Sequence, residues 1–246
     1  MTALAEIDTF GLVLPATWTG LPLEQPAFDA FCTELRGRWR TQPDWDRTTE
    51  RKTELLLRRV RSELTRHGAS FAGAFFDTAV PDDQPLTEDN LEPLMAVCTF
   101  AAYSQADLET DLPLTLPVLF TAFATKSTSG GRPNERHGTM TNLQPPEVDT
   151  LPVGKVVRLR RLYRPKGFGV QTDPFYAESF IMPLGDDGLA AGVLQFATVN
   201  VDIAHQFSDL FEAIAKTMTL FTPDQPTDFS RVPRDTADDT AQAGGN

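Results

Sequence analysis

Histidine and cysteine are the residues of this chain best suited to acid–base, nucleophilic or metal chemistry, and their spacing does not favour it. The three histidines, His67, His137 and His205, fall on three separate predicted elements, and none has a partner at a spacing such as H-x-x-x-H. Cys32 and Cys98 each lie inside an apolar pattern, which indicates two small buried side chains in a reducing compartment. We therefore predict no catalytic residue, no metal ligand and no cofactor.

Acidic residues come closest to a metal-binding pattern. Asp107, Glu109 and Asp111 alternate in a D-x-E-x-D run, whose carboxylates could supply oxygen ligands for Ca²⁺ or Mg²⁺. Counted as a calcium loop, the run has Leu112 at position 6 and Val118 at position 12, where such a loop needs Gly and Glu. We interpret it as a solvated turn with acids near the start of the following helix.

The stretch KVVRLRRLYRPK, residues 155–166, contains six basic residues although the chain has a net charge of −12. Alternation predicts a strand with Val157 and Leu159 turned inward and the arginines turned to solvent. Arg161 breaks the alternation, and Leu162 resumes it one residue late. A β-bulge at positions 160 and 161 would explain this phase, and so would a strand that leaves the sheet.

Two interpretations of this basic strand remain open. Its arginines could pair with acids on an exposed strand and guard an edge against pairing with other chains. They could also form a surface for a carboxylate-rich protein, since Arg is favoured over Lys for bidentate contacts. The candidate partner surface consists of Arg158, Arg160, Arg161, Arg164 and Lys166.

The acidic composition narrows the possible partners and the location. A protein of this charge lacks the basic footprint that phosphate neutralisation needs, so we expect no nucleic acid and no anionic membrane surface as partner. No apolar run reaches 18 residues, and the N-terminal MTALAEIDTF lacks the basic and apolar regions of a signal peptide. A cytoplasmic protein with an acidic-surfaced protein partner is expected, and the oligomeric state is left open.

The elements that must position these residues occur in blocks. Apolar stripes predict helices in residues 26–67 and an amphipathic helix over 203–221. Strands are predicted at 70–76, 93–103, 152–163, 175–184 and 188–200, with a hairpin turn at GDDG, a short helix at 116–125 and a loop at 126–148. This order predicts an α+β fold, an antiparallel sheet of six or seven strands covered by amphipathic helices. We expect one domain over residues 1–222, with a helical insertion at 26–67 and a disordered acidic tail at 223–246.

Two stretches, one near each end of the chain, carry a family resemblance. In FGLVLPATW, residues 10–18, a strand ends at Pro15 and Trp18 begins the next one. In LQFATVNVDIAHQFSDLFEAIAKTMTLF, residues 194–221, a Phe-containing strand precedes a closing amphipathic helix. Both stretches resemble Mog1/PsbP-like domains, and the similarity is to uncharacterised accessory proteins of high-GC Gram-positive bacteria. It implies the fold and a non-catalytic role, and it carries over no site residue.

The function predicted from these observations is that of a non-catalytic interaction or accessory protein. The alternative is a small-ligand-binding domain, because a sheet under Phe-rich helices can leave an apolar pocket between the two layers. A hydrolase or metalloenzyme built on the acidic pairs is a third hypothesis. Two strings, Trp18 to Gly20 and Tyr103 to Asp107, match the W-x-G and Y-x-x-x-D patterns of type VII secretion substrates, which are helical hairpins. Here the first string follows a Pro-ended strand and the second ends a strand, so we attribute the match to chance.

Overall fold

The computed structural model describes residues 9–41, 47–66, 68–79, 92–128, 139–164 and 174–221. Its helices are α1 (Gln25–Trp39), α2 (Arg47–Arg66), α3 (Leu116–Thr128) and α4 (Ala204–Ala215). Its strands are β1 (Thr9–Gly11), β2 (Trp18–Gly20), β3 (Ala69–Ala79), β4 (Glu92–Ser104), β5 (Thr139–Asn142), β6 (Glu147–Leu151), β7 (Gly154–Arg164), β8 (Phe175–Leu184), β9 (Ala190–Thr198) and β10 (Thr219–Phe221). The predicted single domain stays a prediction, and the predicted tail at 223–246 lies outside the described residues.

Eight of these strands form one antiparallel sheet in the order β2-β3-β4-β9-β8-β7-β5, with β6 also paired to β7. The predicted α+β class, with an antiparallel sheet and helical cover, is confirmed. The sheet has more strands than expected because the segment predicted as a loop over 126–148 contributes the end of α3, all of β5 and the start of β6. Strands β5 and β6 pair with successive halves of the same edge of β7.

Helices cover both faces of the sheet. The α4 face carries the larger core, in which Phe207, Phe211 and Ile214 of α4 pack on Phe180 and Phe196 of the central strands. On the opposite face, which we call the α3 face, α3 packs over β7 and β8, and α1 and α2 pack over β3. Burial of the aromatic side chains on the α4 face supplies the main driving force for this packing.

The last helix is shorter than its apolar pattern predicts. The pattern runs from residue 203 to residue 221, but α4 ends at Ala215. The following residues turn and enter β10, which pairs with β1 at the start of the chain. The side-chain oxygen of Thr217 accepts a hydrogen bond of 2.9 Å from the backbone N–H of Val13 at this turn. Strand pairing between the two ends of the described chain therefore prevails over helical periodicity.

Glycines with positive φ mark two predicted turns. Gly185 and Gly188, at φ +74° and +68°, flank the GDDG turn between β8 and β9, so the predicted hairpin is confirmed. Gly68 has a φ of +73° and follows α2 closely, as glycines that terminate helices commonly do. A left-handed backbone of this kind carries little cost only for glycine.

A search of the helices in the described ranges finds none with the length and hydrophobicity needed to cross a membrane.

Gly192 in β9 tests the packing of the larger core. A Cβ atom there would lie 3.0 Å from Cδ2 of Leu184 and 3.1 Å from the Phe100 ring. We expect Gly192→Ala to lower the free energy of unfolding by about 1–3 kcal/mol through overpacking, measured by urea denaturation. Gly20→Ala is the control, since a Cβ there meets nothing within 4 Å, and it should change stability by about 0.5 kcal/mol or less. Equal losses in the two variants would contradict this account of the core.

Candidate functional site

A buried ion pair joins β7 to β8 on the α4 face. Arg158 is 5% exposed, and its Nε donates to Oε1 of Glu178, which is 0% exposed. In the strand register Arg158 lies opposite Phe180 and Arg160 lies opposite Glu178, so the ion pair is a diagonal one. The Arg158 guanidinium also lies over the Phe180 ring, 5.2 Å from its centroid. Both charges are thus removed from water, and each depends on the other for compensation.

The second oxygen of Glu178 connects the sheet to the last helix. Tyr176 of β8 donates its hydroxyl hydrogen to Oε2 at 2.7 Å, and Ser208 of α4 donates to the same oxygen at 2.8 Å. Each oxygen of this buried carboxylate therefore accepts at least one hydrogen bond, as a buried charge requires. The position of α4 on the sheet is fixed by these polar contacts as well as by apolar packing.

Further carboxylates surround the arginines. Nη1 of Arg158 contacts Oε2 of Glu212 at 2.7 Å and Oδ2 of Asp149 at 3.2 Å, which brings α4 and β6 into the same cluster. Arg160 is 20% exposed and contacts Glu147 of β6 at 2.8 Å. We call these groups the Arg158 cluster, defined by Glu147, Asp149, Arg158, Arg160, Tyr176, Glu178, Ser208 and Glu212.

The pKa values of the cluster follow from its burial and charges. Burial by itself would lower the pKa of Arg158, but attraction to Glu178 and hydrogen bonds to Glu212 and Glu178 leave it above its ordinary value. Hydrogen bonds from Lys216 and Arg158 lower the pKa of Glu212 to about 2. Burial raises the pKa of Tyr176. Arg158 and Glu212 therefore stay charged and Tyr176 stays protonated across the neutral range, and all three side chains take part in hydrogen bonds within the cluster.

The expectation that Arg158 points to solvent is wrong. The sequence pattern assumed one covered face, whereas helices cover both faces of β7, so Arg158 lies under α4 while Val157 and Leu159 lie under α3. The suggested β-bulge at positions 160 and 161 is also absent, because β7 pairs with β8 in an unbroken register through both positions. Arg161 therefore keeps its place in the alternation and faces α3.

The five residues of the candidate partner surface do not share one surface. Arg158 is buried, and Arg160 is mostly buried in contact with Glu147. Arg161 points to the opposite face of the sheet, and Arg164 is exposed at the end of β7. Lys166 lies outside the described residues. The structure therefore brings Arg158 and Arg160 together with acids of this chain, whereas Arg161 lies on the other face and Arg164 is exposed at the strand end.

Arg161 has an unusual environment for a basic residue. Its guanidinium lies 5.5 Å from the centroid of the Phe123 ring of α3, its Nε donates to Oδ1 of Asn142 at 3.2 Å, and its Nη1 contacts the Met140 sulfur at 3.3 Å. Burial lowers its pKa. None of the carboxylates in the described ranges forms an ion pair with it, in contrast to Arg158 and Arg160.

An open groove lies on the α3 face, over the central strands of the sheet. Its volume is about 390 Å³, and apart from Phe196 the strand residues of its floor alternate with the buried residues of the opposite face. Val97 of this floor is 40% exposed, which is unusual for an apolar side chain in the middle of a sheet. The lining consists of Leu64, Ala69, Val97, Thr99, Ala101, Tyr103, Phe175, Val193, Gln195, Phe196 and Ala197.

Sequence reasoning did not locate this groove. Strand β4 carries Val97, Thr99 and Ala101 on this face and Ala96, Cys98 and Phe100 on the other, so side-chain size does not distinguish the open face from the covered one. Alternation assigns residues to two faces, but it does not show which face is covered. That α2 and α3 leave the middle of the face open follows from helix placement, which one strand does not encode.

The remaining candidates for chemistry stay dispersed. His205 is exposed in the first turn of α4, whereas His67 and His137 lie outside the described residues. Asp107 accepts hydrogen bonds from the backbone and hydroxyl of Ser104, which lower its pKa, so it caps a turn. No group of three His, Cys, Asp or Glu side chains in the described ranges could hold a metal ion.

The sulfur and secretion-like features have structural explanations. Both cysteines are buried thiols, as predicted, and burial raises the pKa of each. Trp18 begins strand β2 and Tyr103 lies in strand β4, so neither secretion-like string occupies the turn or end of a helical hairpin.

Breaking the buried ion pair between Arg158 and Glu178 should lower the free energy of unfolding much more than breaking the exposed contact of Glu147. Glu178→Gln leaves the buried guanidinium of Arg158 without its nearest charge, and we expect a loss of about 3 kcal/mol in the free energy of unfolding, measured by urea denaturation. Glu147→Gln is the control, because Glu147 is about half exposed and should lose less than about 1 kcal/mol.

A double variant separates pairing from packing. Arg158→Met/Glu178→Met removes both charges together. Its loss in free energy of unfolding should be clearly smaller than the sum of the losses in Arg158→Met and in Glu178→Met. Additive losses would show that the pair is not coupled.

Comparison with known proteins identifies no family. No family model matches the chain, and no curated protein matches it. Among solved structures, the chain is similar to LpqN, a protein involved in cell envelope biogenesis of Mycobacterium tuberculosis, with a TM-score of 0.41 and 12% sequence identity over 87% of this chain and 83% of that chain. A likeness at this level carries no argument about function, and the chain is assigned to no family.

Proposed function

We propose that this protein is a non-catalytic binding protein and that the groove on its α3 face is the binding site. The observation that supports this most directly is the composition of the lining. Among the described residues that line the groove, none carries a charged side chain, although charged residues make up 23% of the chain. A surface that is apolar and uncharged within an acidic protein favours an apolar ligand.

The size and polarity of the groove fit a small molecule. Its volume of about 390 Å³ lies within the range of roughly 300–1,000 Å³ that ligand pockets occupy. Thr99 and Gln195 supply hydrogen-bonding groups in a lining that is otherwise mostly apolar. The described residues of the lining include no carboxylate, imidazole or thiol, which supports binding without turnover.

The groove replaces the arginine strand as the leading candidate surface. Arg158 and Arg160 have their charge compensated by Glu178, Glu212 and Glu147 of this chain, so they have little attraction left for an acidic partner. The resemblance to Mog1/PsbP-like domains stays part of this proposal. It is supported by Trp18 at the start of β2 and by the amphipathic helix α4 after the last large strand.

Nile red, a neutral apolar dye, tests the groove. We expect the protein to bind it with a rise in fluorescence, and we expect Val97→Trp to weaken binding roughly tenfold or more, because the larger side chain fills the floor of the groove. Val97 is already 40% exposed, so this substitution leaves the core unchanged.

Val148→Trp is the matched control. Val148 of β6 is 50% exposed and is not among the lining residues, so its replacement should leave dye binding unchanged. Absence of binding by the unmodified protein, or equal weakening in both variants, would refute the proposed site.

An acidic-surfaced protein partner is the second candidate function. Arg164 supports it, because this residue is exposed at the end of β7 and forms no ion pair with a described carboxylate. We expect Arg164→Glu to abolish recovery of such a partner in affinity purification from the native host followed by mass spectrometry. Arg160→Gln serves as the control, since Arg160 is mostly buried and paired with Glu147. An unchanged set of recovered proteins in Arg164→Glu would argue against this surface.

A further inference from the structure

We propose that the ligand of the groove is an amphiphile with a carboxylate head, and that Arg161 binds this head while the apolar chain occupies the groove. This inference rests on the proposed function, because it needs the groove as the site of the apolar part. It adds the charge of the ligand and the residue that selects it.

Arg161 lies on the same face of the sheet as the groove. In the strand registers Arg161 is opposite Ala177 of β8, Ala177 is opposite Ala197 of β9, and Ala197 is opposite Val97 of β4. Residues directly opposite one another in an antiparallel sheet project to the same side. Arg161 and the lining residues Ala197 and Val97 therefore form one row across the α3 face.

The distance between Arg161 and the groove is short enough for one small molecule to reach both. Phe175 lines the groove and is the diagonal neighbour of Arg161 across the β7–β8 pair, a Cα separation of about 7–8 Å. The ring of Phe175 also contacts Tyr163, its partner in β7, with centroids 4.7 Å apart. Apolar surface thus continues from the groove to the strand that carries Arg161.

The charge of Arg161 has no counter-charge within the described part of the chain. Burial against Phe123 removes water from the guanidinium and lowers its pKa, yet its hydrogen-bond acceptors are the neutral side chains of Asn142 and Met140. An anion bound beside this half-buried guanidinium would be stabilised, because folding has already removed much of the water from the cation and no described carboxylate offsets its charge.

The Arg161 guanidinium has a hydrogen-bond donor that none of the described residues accepts from. Nε and Nη1 contact Asn142 and Met140, whereas Nη2 has no hydrogen-bond acceptor among the described residues. Arginine binds carboxylates through two parallel hydrogen bonds, a geometry that its planar fork favours over the point charge of lysine. A carboxylate head is therefore the group that this side chain is best suited to recognise.

Isothermal titration with decanoate and with 1-decanol distinguishes the contribution of the carboxylate head from that of the alkyl part of the ligand. We expect the unmodified protein to bind decanoate roughly tenfold more tightly than 1-decanol, the gain expected from a charge-assisted hydrogen bond. Arg161→Gln should abolish this preference while leaving the affinity for 1-decanol unchanged, and the retained alcohol binding shows that the variant is folded. Arg161→Lys, which keeps the charge and loses the planar fork, should keep a reduced preference.

Arg164→Gln is the matched control. It removes the same charge from the same strand, but Arg164 lies on the other face of the sheet, so the preference for decanoate should be unchanged. Equal affinity of the unmodified protein for the acid and the alcohol, or a preference that survives Arg161→Gln, would overturn the role of Arg161 and leave the groove intact as a neutral site. Failure to bind Nile red, decanoate and decanol alike would instead overturn the proposed function itself.

Discussion

The buried pair between Arg158 and Glu178 is the constraint on which the arrangement of this protein depends. Two charges withdrawn from water have to be paired in good geometry, since an unpaired buried charge costs several kcal/mol. Glu178 meets this requirement with donors from β7, β8 and α4, and Arg158 adds contacts to β6 and α4. The pair therefore sets where the last helix and an edge strand lie against the sheet.

Helix α4 covers one face of the sheet, and helices α1, α2 and α3 lie on the opposite face. Helix α3 covers β7 and β8, helices α1 and α2 cover β3, and the central strands between them stay partly open. The groove is thus a consequence of helix spacing on a sheet that is already stabilised from its other side. Most of the aromatic cluster under α4 lies away from the groove, and Phe196 is the described residue that belongs to both.

The arginines of β7 illustrate how alternation along a strand divides one sequence motif between two roles. Arg158 and Arg160 point towards α4 and are compensated by acids of the same chain, whereas Arg161 points towards α3 and pairs with none of the described carboxylates. A cluster that looks uniform in sequence thus separates into two parts that face opposite sides of the sheet. The first part secures the fold, and the second supports the ligand proposed for the groove.

The sequence by itself determined the α+β class, the helix of Phe207 and Phe211, the GDDG hairpin and the burial of both cysteines, because these depend on local periodicity and turn chemistry. Only the tertiary structure decided that Arg158 is buried, that β5 and β6 extend β7, and that a groove opens over β4 and β9. These features arise from contacts between residues far apart in the chain. A strand's own pattern shows which residues alternate, but the elements packed on each face decide which side is buried.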